Sequence, residues 1–272
     1  MHTRSLIFLL PLLLMGSFFI LHKATLFPEK PSIKKTAKIH VIKGIPDFTQ
    51  QNTELPYGGN TYCAPVSASN YYMWLIKNDD HKIQLENIKK IAQDMHTDKN
   101  CSDPLEFIEG LKSFLKNKNI KINSISYTGW KPTTEKYTSS KIVTLNQIKE
   151  AICENNGVFA NIGWYRKNAN KYARYGGHWV NIVGYQEKSD NQSLYIQDPS
   201  IRTGKKPNKE NVSLSKISSG KLVSGKGKDY KNLPTSAVGY YLLSGELKIN
   251  TKVGDIAILD GIVVLDAEKL NR

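Results

Sequence analysis

Cysteine is scarce in this chain of 272 residues, and the three cysteines form no metal-binding pattern. Cys63, Cys101 and Cys153 include no C-x-x-C pair and show no cysteine–histidine spacing of the kind found in zinc sites. The sequence therefore predicts no metal site, and nothing in it indicates a cofactor. An odd number of cysteines in an exported protein leaves at least one thiol free or in an intermolecular bridge. A disulfide between Cys101 and Cys153 is one candidate pairing, which would leave Cys63 free.

Internal repeats, long low-complexity runs and arginine-rich helices are also absent, although the chain is strongly basic. The formal net charge is +14, but the lysines are spread along the whole sequence. The sequence shows no interleaving of aromatic and basic residues of the kind that marks a nucleic-acid-binding surface. Nucleic acid is therefore not an expected partner, whereas an anionic envelope polymer remains a candidate partner for the basic surface.

The N-terminus carries a long uncharged run. Leu6–Leu21 contains no charged residue and follows Arg4, and the run is shorter than the roughly 20 residues that a membrane-spanning helix needs. This pattern predicts that residues 1–27 are a signal peptide or an N-terminal anchor. Either would export the rest of the chain, as a periplasmic or secreted protein that the N-terminal segment can attach to a membrane. Residues 28–44 then form a linker or pro-segment, and residues 45–272 form one domain.

Helical patterns fill the first half of the chain and strand patterns fill the second. Asp103 followed by Pro104 marks a helix start, because aspartate caps helix N-termini and proline suits the first turn. Four helices are predicted, over residues 63–76, 83–95, 103–116 and 145–154. Strands are predicted over residues 38–42, 158–164, 178–185, 193–197, 239–243, 255–259 and 261–265. This segregation of helices and strands favours an α+β fold with an antiparallel sheet.

Three short segments carry residues suited to chemistry, and each also has an ordinary structural interpretation. Y-C-A-P-V-S-A-S-N at 62–70 places Cys63 at a helix N-terminus, which stabilises a thiolate, although cysteine is more often a buried hydrophobe. G-G-H-W-V-N-I-V-G-Y at 176–185 places His178 at the edge of an apolar strand, where a core histidine is the alternative. Y-I-Q-D-P-S at 195–200 ends a strand on Asp198, which can equally be a turn residue.

The combination of the three segments is more specific than any one of them. A cysteine nucleophile needs a base to take its proton, and the base needs a third group to hold its tautomer. Two adjacent antiparallel strands would bring His178 and Asp198 together. The sequence therefore predicts a catalytic triad of Cys63 as nucleophile, His178 as base and Asp198 as the group that orients the histidine.

These segments resemble the papain-fold cysteine peptidases, and most closely the branch that contains the bacteriocin-processing (double-glycine leader) peptidases. That branch combines an upstream glutamine, a C-G-P-x-S stretch, a G-G-H-(W/F)-V-x-V-x-G-Y strand and a D-P turn. The resemblance covers about residues 45–200. It implies a papain-like fold, in which a helical half packs on an antiparallel β-sheet, and a thiol protease that cleaves peptide or isopeptide amides through an acyl-enzyme.

The resemblance also assigns secondary roles, with one departure from the pattern. Ala64 stands where the family has glycine after the cysteine, which would narrow the approach to the nucleophile. The family's oxyanion-hole glutamine corresponds to Gln51 or Gln50, and Asn60 is the alternative donor. The candidates for substrate binding or the cleft wall are Asn60, Trp164, Tyr165, Gly177 and Trp179.

Rival functions remain open on the sequence alone. The same triad serves acyl transferases, amidases and cell-wall hydrolases, which differ in the acceptor or in the amide that they attack. A catalytically inactive exported binding protein would keep the fold without turnover, and Ala64 favours that interpretation. The expected partner is in each case a peptide or protein, or the anionic polymer named above.

Overall fold

The computed structural model describes residues 38–130, 137–139, 141–188, 191–200, 209–223, 234–247 and 255–269. All of them belong to one compact unit, Lys35–Arg272. The predicted signal or anchor segment, residues 1–27, and the first part of the predicted linker lie outside the described residues. Among the residues that are described, no helix is both long enough and apolar enough to span a bilayer.

Helices lie where the sequence predicts them. They are α1 (Cys63–Leu75), α2 (His81–Asp94), α3 (Pro104–Asn117) and α4 (Leu145–Cys153). Asp103 and Thr144 each accept a hydrogen bond from the backbone N–H three residues on, and the side chain there bonds back to the capping residue. These capping boxes satisfy N–H groups that the first turn leaves without intrahelical partners. The N-cap of α1, Tyr62, makes no such side-chain bond.

The described strands form one sheet that is mostly antiparallel. They are β1 (Lys38–Val41), β2 (Ile120–Gly129), β3 (Thr138–Ser139), β4 (Gly157–Asn168), β5 (Lys171–Lys188), β6 (Asn191–Gln197), β7 (Glu210–Lys216), β8 (Lys221–Val223), β9 (Thr235–Ser236), β10 (Tyr241–Gly245) and β11 (Asp255–Lys269). The predicted antiparallel sheet is mixed in the structure, because β3 pairs with β2 and β8 pairs with β5 in parallel. The two strands predicted over 255–265 are one strand, whose register shifts between Leu259 and Gly261.

Six of these strands close into a ring. β4 pairs with β5, and the pairing continues through β6, β7 and β10 to β11, which pairs back with β4. Buried side chains from all six strands form one apolar cluster, which includes Val180, Ile196 and Leu259. Ile148 and Ile152 of α4 pack on the same cluster. Closure of the ring leaves these six strands without a free edge inside it.

The other three helices contribute to a second apolar cluster, which joins them to the sheet. Phe107 of α3 stacks on Trp179 of β5 with ring centroids 4.4 Å apart. The hydroxyl of Ser67 in α1 donates to the carbonyl oxygen of Trp179 at 3.2 Å. The N-terminal turn of α1 is therefore held against the middle of β5, immediately after His178.

Candidate active site

His178 and Asp198 meet in a buried hydrogen bond. His178 lies in β5, and Asp198 follows β6, the antiparallel neighbour of β5. The distance between Nε2 of His178 and Oδ1 of Asp198 is 2.6 Å. Because this contact occupies Nε2, the ring nitrogen Nδ1 is the one left for a second partner.

The Asp198 carboxylate is held by more than the histidine. Its Oδ1 also accepts the backbone N–H of Ser200 at 2.9 Å, while its own N–H donates to Oε2 of the buried Glu210 at 3.3 Å. Burial alone would raise the pKa of Asp198, but the charge and hydrogen bond of His178 and the bonds from Ser200 outweigh it and hold that pKa below its ordinary value. The side chain of Asp198 therefore stabilises the turn at Ser200 and contacts His178 at the same time.

Cys63 is the first residue of α1 and is buried, with 3% of its surface exposed. Its sulfur accepts hydrogen bonds from the backbone N–H groups of Trp179 and Ala64, both of which lower its pKa. A hydrogen bond with the thiol of Cys101 and burial act in the opposite direction, and the net effect raises the pKa of Cys63 well above its ordinary value. The thiol of Cys63 thus lies beside Trp179, the residue that follows His178.

The second thiol at this place is one that the sequence analysis assigned elsewhere. Cys63, Cys101 and Cys153 are all free, so the candidate disulfide between Cys101 and Cys153 is not formed. The thiol of Cys153 is exposed and lies 3.7 Å from the hydroxyl of Tyr185. Cys101 instead bonds to Cys63, and that bond lowers the pKa of Cys101 against the effect of burial, helped by the nearby charges of His178 and Arg174.

Ala64, which stands where the family has glycine, is fully buried in the cluster formed by α1, α3 and the sheet. Cys63 belongs to the same cluster. The narrowed approach to the nucleophile therefore stays a prediction.

The three oxyanion-hole candidates lie together in the segment before α1. Nε2 of the buried Gln50 donates to the carbonyl oxygens of Gly59 and Asn60 at 3.0 and 3.2 Å. Nε2 of Gln51 donates to Oδ1 of the exposed Asn60 at 3.4 Å. Gln50 thus supports the loop that leads into Cys63, whereas Gln51 and Asn60 form a more exposed pair.

Of the aromatic candidates for the cleft wall, Trp164 is the one whose ring contacts the ring of His178. Its ring stacks on the His178 ring, with centroids 6.0 Å apart and an interplanar angle of 25°. The side chains of Tyr165 and Trp179 are buried, and their role in the cleft wall stays a prediction. The indole N–H of Trp179 donates to the carbonyl oxygen of Ser102 at 3.0 Å. That bond fixes the loop that carries Cys101.

Gly177 is exposed beside His178, and the guanidinium of Arg174 occupies the space where a side chain would be. A Cβ at this position would lie 2.3 Å from Nη2 of Arg174. Nε of Arg174 pairs with Oδ2 of the fully buried Asp260 at 2.6 Å. The other carboxylate oxygen of Asp260 accepts the hydroxyl of Tyr165 at 2.5 Å.

Sequence reasoning missed Cys101, Arg174 and Asp260 at this site. Asp260 offered a signal, because a lone carboxylate within the apolar run A-I-L-D-G-I-V-V-L at 257–265 needs a buried partner. Cys101 offered none, since the loop before α3 carries no pattern that relates it to Cys63.

Comparison with models of protein families gives one match, to the model described as "Peptidase_C39 like family", over residues 42–217. The matched segment contains Cys63, His178 and Asp198 together with Cys101 and Arg174. Among curated proteins, none matches the chain.

Proposed function

Because the chain belongs to the Peptidase_C39-like family, we propose that it is a papain-like cysteine peptidase that hydrolyses peptide or isopeptide amide bonds. The observation that carries the proposal is the convergence at His178 and Trp179. His178 holds Asp198 at 2.6 Å, and the next backbone N–H contacts the sulfur of Cys63. A helix-borne thiol and a sheet-borne imidazole–carboxylate pair are the parts that nucleophilic catalysis on an amide requires.

In the proposed reaction, Nδ1 of His178 takes the proton of Cys63 as the sulfur attacks the amide carbonyl. The contact with Cys101 and burial raise the pKa of Cys63, so the proposal couples the transfer of its proton to the attack. The backbone N–H of Cys63 and the side-chain amide of Gln51 stabilise the oxyanion, with Gln50 and Asn60 as alternatives. His178 then protonates the leaving amine, and water hydrolyses the acyl-enzyme with His178 as base. Asp198 orients the imidazole and stabilises its charged form throughout.

Export of the enzyme is part of the proposal and rests on the sequence of residues 1–27. A signal peptide or anchor there places the domain outside the cytoplasm, where peptides or the peptide part of an envelope polymer are the substrates. An acyl transferase, amidase or cell-wall hydrolase would use the same three side chains with a different acceptor or amide. The products formed with water and with amine acceptors distinguish these activities.

A specific observation also favours a second candidate, a binding protein without turnover. Contact with Cys101 and burial raise the pKa of the Cys63 thiol, and the residue is only 3% exposed. A protein in which His178 cannot take that proton would bind peptides in the same cleft and release them unchanged.

The test measures modification of Cys63 by a peptide-like electrophile, mapped by mass spectrometry in wild type and in His178→Ala. We expect Cys63 to be modified, and the rate to fall by about 10²-fold or more in His178→Ala, which is the usual contribution of a general base. His40→Ala is the matched control, because His40 lies in β1 and stacks on Tyr185. Equal rates in all three proteins would refute the peptidase proposal and favour the binding protein.

A further inference from the structure

Two thiols meet at the candidate nucleophile, and the mechanism above uses only one of them. Cys63 and Cys101 share a hydrogen bond between their side chains, and both are free. Cys63 is buried, whereas Cys101 is half-buried and is therefore the thiol that a small solute reaches more easily.

Contacts on both sides of Cys101 fix its position. Its N–H donates to the carbonyl oxygen of Asp98 at 3.1 Å, and the carbonyl of the next residue, Ser102, accepts the indole N–H of Trp179 at 3.0 Å. Trp179 is also the residue whose backbone N–H contacts the sulfur of Cys63. Trp179 therefore contacts both the thiol of Cys63 and the residue that follows Cys101.

The backbone of Cys101 gives a second sign that this position is held by its surroundings. Its φ angle is 66°, in the left-handed region that residues other than glycine rarely adopt. Such conformations persist where neighbouring structure enforces them. The turn from Asp98 to Cys101 keeps the second thiol next to the first.

We propose that Cys63 and Cys101 form a reversible disulfide under oxidising conditions, so that the pair is a modification site that switches the nucleophile off. This inference rests on the proposed function only for the loss of peptidase activity, because bond formation requires no more than the two adjacent thiols. The bond also protects Cys63 from irreversible oxidation to the sulfinic and sulfonic acids.

The reaction balances with a hydroperoxide as the oxidant. The Cys101 thiolate, which the hydrogen bond from Cys63 favours, attacks one oxygen of hydrogen peroxide and becomes a sulfenic acid as the O–O bond breaks. The other oxygen leaves as hydroxide, which takes up the proton that the Cys101 thiol released and becomes water. The sulfur of Cys63 then loses its proton and attacks the Cys101 sulfur, forming the S–S bond and expelling hydroxide, which takes up that proton to become a second water. The two thiols lose two electrons in total, and hydrogen peroxide gains them.

Reduction reverses the switch. A dithiol attacks one sulfur of the disulfide, forms a mixed disulfide and then closes on itself, which returns both protein thiols and consumes no other reagent. Closure of the protein disulfide requires the sulfurs to approach to about 2.05 Å.

The test treats the full-length chain with hydrogen peroxide, then alkylates it and maps unreduced peptides by mass spectrometry. In wild type we expect a cross-linked peptide that joins residues 63 and 101, the loss of two hydrogen atoms from the intact mass, and loss of Cys63 alkylation that dithiothreitol restores. Cys153→Ser is the matched control and keeps all three signals. In Cys101→Ser, and in Cys101→Ala as a second variant, the cross-link is absent and dithiothreitol does not restore Cys63.

Several outcomes would overturn the inference. These are oxygen addition at Cys63 in wild type without a cross-link, a cross-link that joins residues 63 and 153 instead, or equal recovery of Cys63 in wild type and Cys101→Ser. Alkylation reports the bond whether or not the protein turns over a substrate. The disulfide can form while the reduced protein is modified by the electrophile at the same rate in wild type and in His178→Ala. In that case the proposed function fails and this inference stands.

Discussion

The ion pair between Arg174 and Asp260 carries a prediction about stability at the site. Asp260 is fully buried in β11, and the Arg174 side chain is 12% exposed in β5, with Nε and Oδ2 2.6 Å apart. Neither charge has access to much water. Asp260→Asn keeps an oxygen acceptor for the Tyr165 hydroxyl but removes the negative charge that compensates the guanidinium.

Removal of one partner of a buried pair costs about 3–5 kcal/mol, because the other charge is left uncompensated in a poorly solvated place. We expect Asp260→Asn and Arg174→Met each to lower the free energy of unfolding by that amount. The double variant removes both charges, so its loss should be smaller than the sum by about 2–3 kcal/mol, which is in the upper range for contacting residues.

The measurement is urea-induced unfolding of the three variants and wild type, followed by circular dichroism. Glu268→Gln is the matched control on the same strand, since it breaks an equally short but exposed pair with Lys121, whose side chains are 54% and 55% exposed. An exposed pair contributes about 0–1 kcal/mol. If Asp260→Asn costs no more than Glu268→Gln, or if the losses of the single variants simply add, the reasoning from burial is wrong.

Two further predictions concern the neighbours of His178. The pKa of Asp198 lies below its ordinary value, so its contribution to stability is complete above the unfolded-state pKa of about 3.9 and is lost as the pH falls through the lower folded-state pKa. In thermal unfolding, Asp198→Asn should therefore lack this loss of stability at acid pH. A loss as steep as that of wild type would contradict the assignment. Gly177→Ala should slow Cys63 modification while leaving the secondary structure unchanged, because the new Cβ would lie 2.3 Å from Nη2 of Arg174 and would displace the guanidinium. Circular dichroism measures the secondary structure, and the electrophile assay measures the rate. An unchanged rate would show that the position of Arg174 does not matter to the site.

Local signals account for what the sequence predicts well. The helix that begins after Asp103 follows from a capping residue and a proline that act within one turn. The contact between His178 and Asp198 follows from two strands joined by a short connection, which pair with each other. In both cases the residues that determine the structure are close together in the chain.

Long-range pairing accounts for what the sequence does not predict. The pairing of β11 with β4 closes the ring between segments at opposite ends of the second half of the chain, and it places Asp260 beside Arg174. The contact of Cys101 with Cys63 joins a loop to the start of a helix. Trp179 contacts both segments, the loop through its indole N–H and Cys63 through its backbone N–H. No pattern in either segment encodes its partner, so the sequence analysis paired Cys101 with Cys153, the cysteine that remained when Cys63 was taken as free.

The two adjacent residues His178 and Trp179 explain how the helical half and the sheet are aligned at the site. Successive side chains of a strand point to opposite faces, so the imidazole and the indole belong to different environments. His178 reaches Asp198 and the ring of Trp164, while Trp179 packs on Phe107 and binds the loop of Cys101. The backbone N–H of Trp179 contacts the sulfur of Cys63. The tryptophan of the G-G-H-W segment therefore ties the start of α1 and the loop of Cys101 to the strand that carries His178.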